Sequence, residues 1–130
     1  MSEKSFETVR SYYAAYRAGS ADQVTAALSE VVDDGFVLES PLVEARLGGP
    51  ATGSAALSMA AAVAPLLGNA DIEALYARET GDGVVALIHF PTPAGPVTQS
   101  EHFDLDPASG RITRLRSYYD PRALLGLSRG

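Results

Sequence analysis

The sequence contains no cysteine and no tryptophan, one lysine (Lys4) and two histidines. Without cysteine the chain has no disulfide, no thiol nucleophile and no cysteine-ligated zinc site. Its charged first residues and short apolar runs also lack the pattern of a signal peptide or a membrane span. We therefore expect a cytoplasmic protein that does not bind a membrane. The net charge of −6 disfavours nucleic acid as a partner, because phosphate backbones are bound by basic surfaces.

The length of 130 residues predicts a single domain, residues 1–130, that buries its own core. Apolar residues at helical spacing predict a first helix from Phe6 to Ala18. Ser20 and Gln23 have the spacing of a capping box, so a second helix begins there. A third helix is predicted from Ser54 to Ala64, limited by Pro65. The stretch from Leu42 to Thr52 has glycines and no period, which predicts a loop.

Five runs of strand character follow or separate these helices. They are Phe36 to Ser40, Ile72 to Glu79, Val84 to Phe90, Val97 to Leu105 and Ile112 to Tyr119. Turn residues such as Gly81-Asp82-Gly83 separate neighbouring runs. Three helices followed by mostly antiparallel strands is an α+β pattern, and it differs from an alternating βαβ pattern.

An acidic residue interrupts an apolar strand face. Strand alternation places Gln99, Glu101, Phe103 and Leu105 on one face. A carboxylate beside Phe and Leu is costly to bury unless it is paired or protonated, and burial raises its pKa. Glu101 is therefore a candidate general acid. The competing interpretation is a glutamate at the rim, or one held by a tyrosine for structural reasons.

Aromatic hydroxyls converge on the same predicted cavity. Tyr12 and Tyr16 share a face of the first helix, where an aromatic stripe is more often core than site. A buried tyrosine needs a hydrogen-bond partner, and a Tyr12–Glu101 pair would supply one. Ser117 and Tyr119 share a face of the last strand with Leu115, which would add polar groups to the cavity.

The sequence shows no pattern for a metal or a cofactor. His89 and His102 alternate with core-facing residues, so both are predicted on the outer face of the sheet. Neither stands at a metal-binding spacing. The Gly48-Gly49-Pro50 run lacks the residues of a phosphate loop. We therefore expect no metal and no cofactor.

Several local sequences, in this order, resemble the NTF2-like superfamily, the cone-shaped fold of ketosteroid isomerase and SnoaL-type polyketide cyclases. The matching segments are Val9-Arg10-Ser11-Tyr12-Tyr13-Ala14-Ala15-Tyr16-Arg17-Ala18-Gly19, Phe36-Val37-Leu38-Glu39-Ser40-Pro41, Gly53-Ser54-Ala55-Ala56-Leu57, Glu101-His102-Phe103, Gly110-Arg111-Ile112 and Tyr118-Tyr119. The resemblance implies three N-terminal helices packed on a curved, mostly antiparallel sheet.

The resemblance also assigns roles to three positions. Tyr12 falls where ketosteroid isomerase has the tyrosine of its oxyanion hole, and Glu101 where it has a protonated carboxylic acid. Ser40 falls where that family has its general base, an aspartate, and a serine hydroxyl cannot shuttle a proton between carbons without a base of its own. Glu39, if a bulge turned it inward, or Glu44 on the mouth loop are the alternatives for a replacement base.

These observations predict an isomerase-like or polyketide-cyclase-like enzyme for a small apolar, oxygen-bearing molecule, with epoxide-hydrolase-like chemistry fitting less well. Its catalytic residues would be Tyr12, Glu101 and Ser40. The predicted substrate-binding residues are Tyr16, Phe36, Leu38, Ile88, Phe90, Phe103, Leu115, Ser117 and Tyr119. The alternative is a non-catalytic ligand-binding or dimerisation module of the same fold, which the serine at position 40 favours.

The predicted outer face of the sheet mixes polar, aromatic and apolar side chains. By alternation it carries His89, His102, Arg114, Arg116 and Tyr118, interleaved with Val85, Leu87 and Ile112. Such a mixture is typical of a protein–protein interface. We expect a homodimer through this face, with the two arginines meeting acidic residues such as Asp104 on either chain.

Overall fold

The computed structural model describes residues 2–78, 83–93 and 95–119, and over these ranges it contains five helices and six strands. The helices are α1 (Ser2–Ala15), α2 (Ala21–Ser29), α3 (Pro41–Leu47), α4 (Gly53–Ala62) and α5 (Ala64–Leu67). The strands are β1 (Val32–Glu39), β2 (Ala51–Thr52), β3 (Asp71–Ala77), β4 (Gly83–Phe90), β5 (Val97–Leu105) and β6 (Ile112–Tyr118). No helix in these ranges has the length and apolar character needed to cross a membrane.

The strands form one sheet in the order β2-β1-β6-β5-β4-β3. β1 and β6 run parallel, whereas every other neighbouring pair is antiparallel. The order is linear, so the described sheet is open, with β2 and β3 at its edges. Helices packed on one mixed, mostly antiparallel sheet confirm the predicted α+β class.

The second helix begins where its sequence signal predicts but ends at Ser29, and β1 starts at Val32, before the predicted Phe36. The Ser20 side chain accepts a hydrogen bond from the Gln23 backbone N–H, and the Gln23 side chain accepts one from the Ser20 N–H. This is the predicted capping box. α1 starts four residues before the predicted Phe6 and ends at Ala15, short of the predicted Ala18.

The stretch from Leu42 to Thr52, predicted as a loop, begins with helix α3, and this prediction was wrong. Ser40 precedes it, and its Oγ accepts a hydrogen bond from the Val43 N–H at 3.2 Å. Pro41 occupies the first turn, where its missing N–H costs nothing. Gly48 ends the helix at φ 73°, a conformation that favours glycine. The residues that cap its two ends stabilise this helix, although its sequence has no apolar residues at helical spacing.

The predicted third helix, Ser54 to Ala64, appears as α4, and the short helix α5, which was not predicted, follows it. α4 ends at Ala62, and α5 has Pro65 in its first turn. The predicted strand Ile72 to Glu79 appears as β3, which starts at Asp71 and ends at Ala77. Glu79, and the turn residues Gly81 and Asp82, lie outside the described residues.

The core lies between the helices and one face of the sheet. Strand alternation gives this face its apolar side chains, and Phe103, Ile88 and Phe36 are each fully buried there. Ile112 was predicted on the outer face but is also fully buried. The β5–β6 register shifts between Asp104 and Leu105, which turns Ile112 inward.

Candidate functional site

A cavity of about 320 Å³ lies between the sheet and helices α1, α3, α4 and α5. Most of its lining side chains are apolar, including Leu38, Val43, Met59, Val63, Phe90 and Leu115. Polar lining side chains are Tyr12, Tyr16, Ser40, Arg46, Ser58, Gln99, Glu101, Ser117 and Tyr119. An apolar cavity with a few convergent polar groups is the usual form of a small-molecule site.

The cavity has a closed end and a mouth. Tyr12 and Glu101 are each 1 % exposed, so they lie at the closed end. Three lining residues on α3 and α4 are exposed: Arg46, Ser58 and Ala62. The cavity therefore opens to solvent between these two helices.

Glu101 lies on β5 with both carboxyl oxygens engaged. The Tyr13 hydroxyl donates to Oε1 at 2.6 Å, and the Ser117 hydroxyl donates to Oε2 at 2.5 Å. Ser117 is the direct cross-strand partner of Glu101, which explains the second contact. Burial raises the pKa of Glu101, whereas hydrogen bonds from Ser117, Tyr13 and Gln99 oppose that rise. The net effect is a raised pKa.

Tyr13, and not Tyr12, is the tyrosine that contacts Glu101, so the predicted Tyr12–Glu101 pair was wrong. Tyr12 instead pairs with Tyr16, their hydroxyl oxygens lying 2.5 Å apart. Residues four apart share one helix face, whereas adjacent residues are turned about 100° from each other. The ring of Phe103 packs edge-on against both Tyr12 and Tyr13.

Tyr12 and Tyr16 both line the cavity, and their hydroxyls form a hydrogen bond with each other. Burial is the first cause that raises the pKa of each, so both hydroxyls hold their protons at neutral pH. A single hydrogen bond between the two oxygens uses one hydroxyl proton, so the pair holds a second one. The first hydrogen bond polarises the second hydroxyl and strengthens it as a donor.

Neither proposed replacement base reaches the cavity. Glu39 points to the outer face, as alternation predicted, and its Oε2 lies 3.1 Å from Arg114 Nε and 3.3 Å from Arg116 Nε. Glu44 is exposed on α3 and is not among the lining residues. Over the described ranges, Glu101 is the one carboxyl that lines the cavity.

The structure separates the predicted substrate-binding residues into two groups. Six line the cavity: Tyr16, Leu38, Phe90, Leu115, Ser117 and Tyr119. Three do not, namely Phe36, Ile88 and Phe103, which are fully buried in the core. Ser40 lines the cavity, but its hydroxyl caps α3. Tyr119 accepts a hydrogen bond from the Leu42 N–H at 3.3 Å.

Four polar residues of the site were not predicted as site residues: Tyr13, Gln99, Arg46 and Ser58. The sequence contained an indication for two of them. Tyr13 is next to Tyr12 on the broad apolar face of α1, and Gln99 shares the strand face of Glu101. No sequence pattern predicted Arg46 in the site, because its helix was predicted as a loop. Its position at the mouth follows from α3.

Both described histidines lie on the outer face. His102 Nε2 is 2.9 Å from the Ser100 hydroxyl, and His89 Nε2 is 3.6 Å from an Asp71 oxygen. Within residues 2–78, 83–93 and 95–119, no group of three acidic or histidine side chains is arranged to hold a metal ion.

No protein-family model and no curated protein sequence matches this chain. Solved structures do match it. An NTF2-like protein from Cytophaga hutchinsonii is 17 % identical, with 93 % of this chain and 94 % of that chain covered and a TM-score of 0.66. A candidate isomerase from Bacillus subtilis is 23 % identical, covering 98 % and 94 % with a TM-score of 0.71.

A third match is a protein named TerC, crystallised with polyporic acid. It is 20 % identical, with 98 % of this chain and 99 % of that chain covered and a TM-score of 0.66. At these identities the likeness concerns the fold. The chain has the NTF2-like fold, as the sequence resemblance implied.

Proposed function

We propose that this protein is an acid–base enzyme of the ketosteroid-isomerase and SnoaL-cyclase kind, acting on a small, largely apolar compound with a carbonyl or epoxide oxygen. One observation carries the proposal. A buried glutamate, Glu101, lines an otherwise apolar cavity and has a raised pKa. Such groups are characteristic of proton-transfer sites. The candidate isomerase of the same fold supports the reaction class.

The contacts of Glu101 suit it to act as a base. Both of its oxygens accept hydrogen bonds from hydroxyl donors, which stabilise the ionised form. Desolvation makes that carboxylate a stronger base than it would be in water. A proton removed from the carbon beside a carbonyl would move to Glu101, and negative charge would develop on the carbonyl oxygen. The proton would then return from Glu101 to carbon.

The Tyr12–Tyr16 pair would stabilise that charge. Its available hydroxyl proton can donate to the carbonyl oxygen, and the hydrogen bond strengthens as the enolate forms. This assignment separates the two tasks. Glu101 carries the proton, and the tyrosine pair acts as the oxyanion donor. It also removes the need for an aspartate at position 40.

A second function, non-catalytic ligand binding, is favoured by one observation. Ser40 occupies the position of the family's usual base, and its hydroxyl caps α3. A cavity with one carboxyl would then serve binding alone. TerC, crystallised with polyporic acid, shows a protein of this fold with a small molecule.

Hydrogen–deuterium exchange separates the two functions without a known substrate. A panel of cyclic ketones is incubated with the protein in D2O, and loss of the α-hydrogen signals is followed by NMR. We expect wild-type protein to accelerate exchange and Glu101→Gln to lose this acceleration by about a hundredfold or more. Glu44→Gln, the same change on the exposed face of α3, should exchange like wild type.

Two results would contradict the enzyme. Exchange as fast in Glu101→Gln as in wild type would remove Glu101 from the chemistry. A ketone that binds in the cavity without any accelerated exchange would support the binding function instead.

A further inference from the structure

Arg46 is a positive charge at the mouth of the cavity, and no acidic side chain in the described ranges pairs with it. The other described arginines each have an ion pair or a hydrogen bond: Arg10, Arg17, Arg78, Arg111, Arg114 and Arg116. The Arg46 side chain has neither among the described residues. The chain has 16 acidic residues and 10 basic ones, so an arginine without an acidic partner is unusual in it.

The spacing of residues along α3 places Arg46 on the face that borders the cavity. Arg46 stands four residues after Leu42 and three after Val43, so the three share one face of the helix, and all three line the cavity. Glu44 and Leu47 are exposed and are not lining residues. Glu44 is only two positions from Arg46, and side chains two apart on a helix do not face each other. The nearest acidic residue on α3 therefore leaves the guanidinium to the mouth.

The two ends of the cavity differ in what they offer to an anion. At the closed end, a carboxylate would lose its water and lie near Glu101, a buried group that is negative when ionised. At the mouth, Arg46 is exposed, so an anion there keeps part of its water and gains an opposite charge. An anionic molecule is therefore bound with its charge at the mouth and its neutral end inside.

The charge of the mouth fits a carboxylate better than a phosphate. A guanidinium can donate two parallel hydrogen bonds to the two oxygens of a carboxylate. Over the described ranges, the lining residues include no lysine and no second arginine, so a phosphate dianion would be only half neutralised. The largely apolar lining further in suits an apolar body.

We infer that the site takes an apolar oxo acid, whose carboxylate binds Arg46 at the mouth and whose carbonyl lies at the closed end, beside Glu101 and the Tyr12–Tyr16 pair. This inference rests on the proposed function and narrows its substrate class. Arg46 is a specificity-determining residue. It binds the end of the molecule that does not react, and it takes no proton.

Four bicyclic probes test the inference by isothermal titration calorimetry. They are a tetralone with a carboxylate at the far end of its aromatic ring, the primary amide of that acid, the parent tetralone, and the same acid without the ketone. At low salt we expect the tetralone acid to bind about fivefold more tightly than its amide or the parent tetralone, the effect of one exposed charge pair. High salt should reduce that preference, because the charge at the mouth is exposed. The acid without the ketone should bind more weakly than the tetralone acid, because it lacks the oxygen that accepts a hydrogen bond at the closed end.

Substitutions at position 46 assign the preference to its residue. Arg46→Gln should bind the tetralone acid and its amide equally, with the affinity for the amide unchanged. Arg46→Lys, which keeps the charge, should keep part of the preference. In the deuterium exchange, Arg46→Gln should raise the KM of the tetralone acid and leave its kcat unchanged, because the contact is made equally before and during the reaction. Arg10→Gln removes an exposed arginine of α1 that does not line the cavity, and it should bind all four probes like wild type.

The inference is overturned if the tetralone acid binds no tighter than its amide. It is also overturned if Arg46→Gln keeps the preference for the acid, as it would if the carboxylate lay at the closed end, or if Arg10→Gln loses the preference to the same extent. The two proposals fail separately. Accelerated exchange of the parent tetralone without any preference for the acid would contradict this inference alone. A preference for the acid that depends on Arg46, without accelerated exchange of any probe, would contradict the proposed enzyme and leave a cavity that binds apolar acids.

Discussion

The Glu101 carboxyl is surrounded by groups that act on its charge in opposite directions. Burial disfavours the ionised form, whereas the hydroxyls of Ser117 and Tyr13 and the amide of Gln99 favour it. Burial is the larger effect, so the pKa of Glu101 is raised above its ordinary value. Replacing Tyr13 with phenylalanine would remove one opposing hydrogen bond and raise that pKa further.

The raised pKa gives a prediction about stability. A folded-state pKa above the unfolded value means that Glu101 stabilises the fold when protonated, below the unfolded pKa. This contribution is lost as the pH rises through the folded pKa. Glu101→Gln, which stays neutral, should therefore gain free energy of unfolding relative to wild type as the pH goes from acid to neutral. Urea unfolding across that range measures the difference.

Glu44→Gln is the matched control for this prediction, because Glu44 is exposed on α3. A constant difference between wild type and Glu101→Gln at every pH would contradict the raised pKa. It would also weaken the case for Glu101 as the base.

Helix α3 forms one wall of the cavity, and its first turn depends on Ser40. The Ser40 hydroxyl accepts from the Val43 N–H, and Val43 lines the cavity. We expect Ser40→Ala to lower the free energy of unfolding by about 1 kcal/mol, the usual cost of losing an N-cap. Ser40→Asp should keep that stability, because aspartate is an equally good cap. Urea unfolding of the three proteins tests both expectations.

Ser40→Asp also adds a second carboxylate to the cavity, at the position of the family's usual base. Isomerisation of a β,γ-unsaturated ketone by this variant would show that the cavity accepts such substrates. A Ser40→Ala variant as stable as wild type would mean that the cap contributes little to α3.

The outer face of the sheet carries rows of side chains that cross several strands. One row joins Tyr76, Val85, His102 and Arg116 on successive strands. Tyr76 and Tyr118 are 55 % and 52 % exposed. Asp104 pairs with Arg78, and Glu39 pairs with Arg114 and Arg116, so these contacts are made within one chain. Within the described chain the two arginines thus meet an acidic residue, which is Glu39 and not the Asp104 given as the example.

We expect this face to pair two copies of the chain, since its aromatic, arginine and apolar mixture resembles an interface. Sedimentation equilibrium at micromolar concentration should give a dimer mass. Leu87→Glu, on the same face, should raise the dissociation constant about tenfold or more. Leu47→Glu, at a 55 % exposed leucine on α3, should leave the dimer intact. A monomeric wild type would show that the face is merely solvated.

Much of the fold and of the candidate site could be predicted from two spacings in the sequence, the alternation of strands and the apolar spacing of helices. Strand alternation placed Glu101, Ser117 and Leu115 inward and Glu39 outward, and helical spacing placed the tyrosines on one face of α1. These spacings could not predict whether Tyr12 or Tyr13 is the hydrogen-bond partner of Glu101. That choice depends on the rotation of α1 about its own axis, which its packing on the sheet determines.

The other differences between prediction and structure come from a β-bulge and from helix caps, which the spacing of apolar residues does not reveal. The bulge beside Asp104 and Leu105 turned Ile112 inward, and one extra residue in a strand leaves the alternation ambiguous. The cap at Ser40 and the left-handed Gly48 made a helix of a segment without an apolar stripe. That helix brought Arg46 to the cavity.

The parallel pairing of β1 with β6 has a consequence for how the chain is made. Val32 pairs with Ile112, so β1 pairs with a strand that is synthesised much later than itself. While the ribosome extends the chain, β1 has no long neighbour and the Glu101 contact with Ser117 does not exist. Such distant pairing slows folding, because loop-closure entropy must be overcome first. The sheet and its buried acid are thus completed only after the nascent chain has been synthesised through β6.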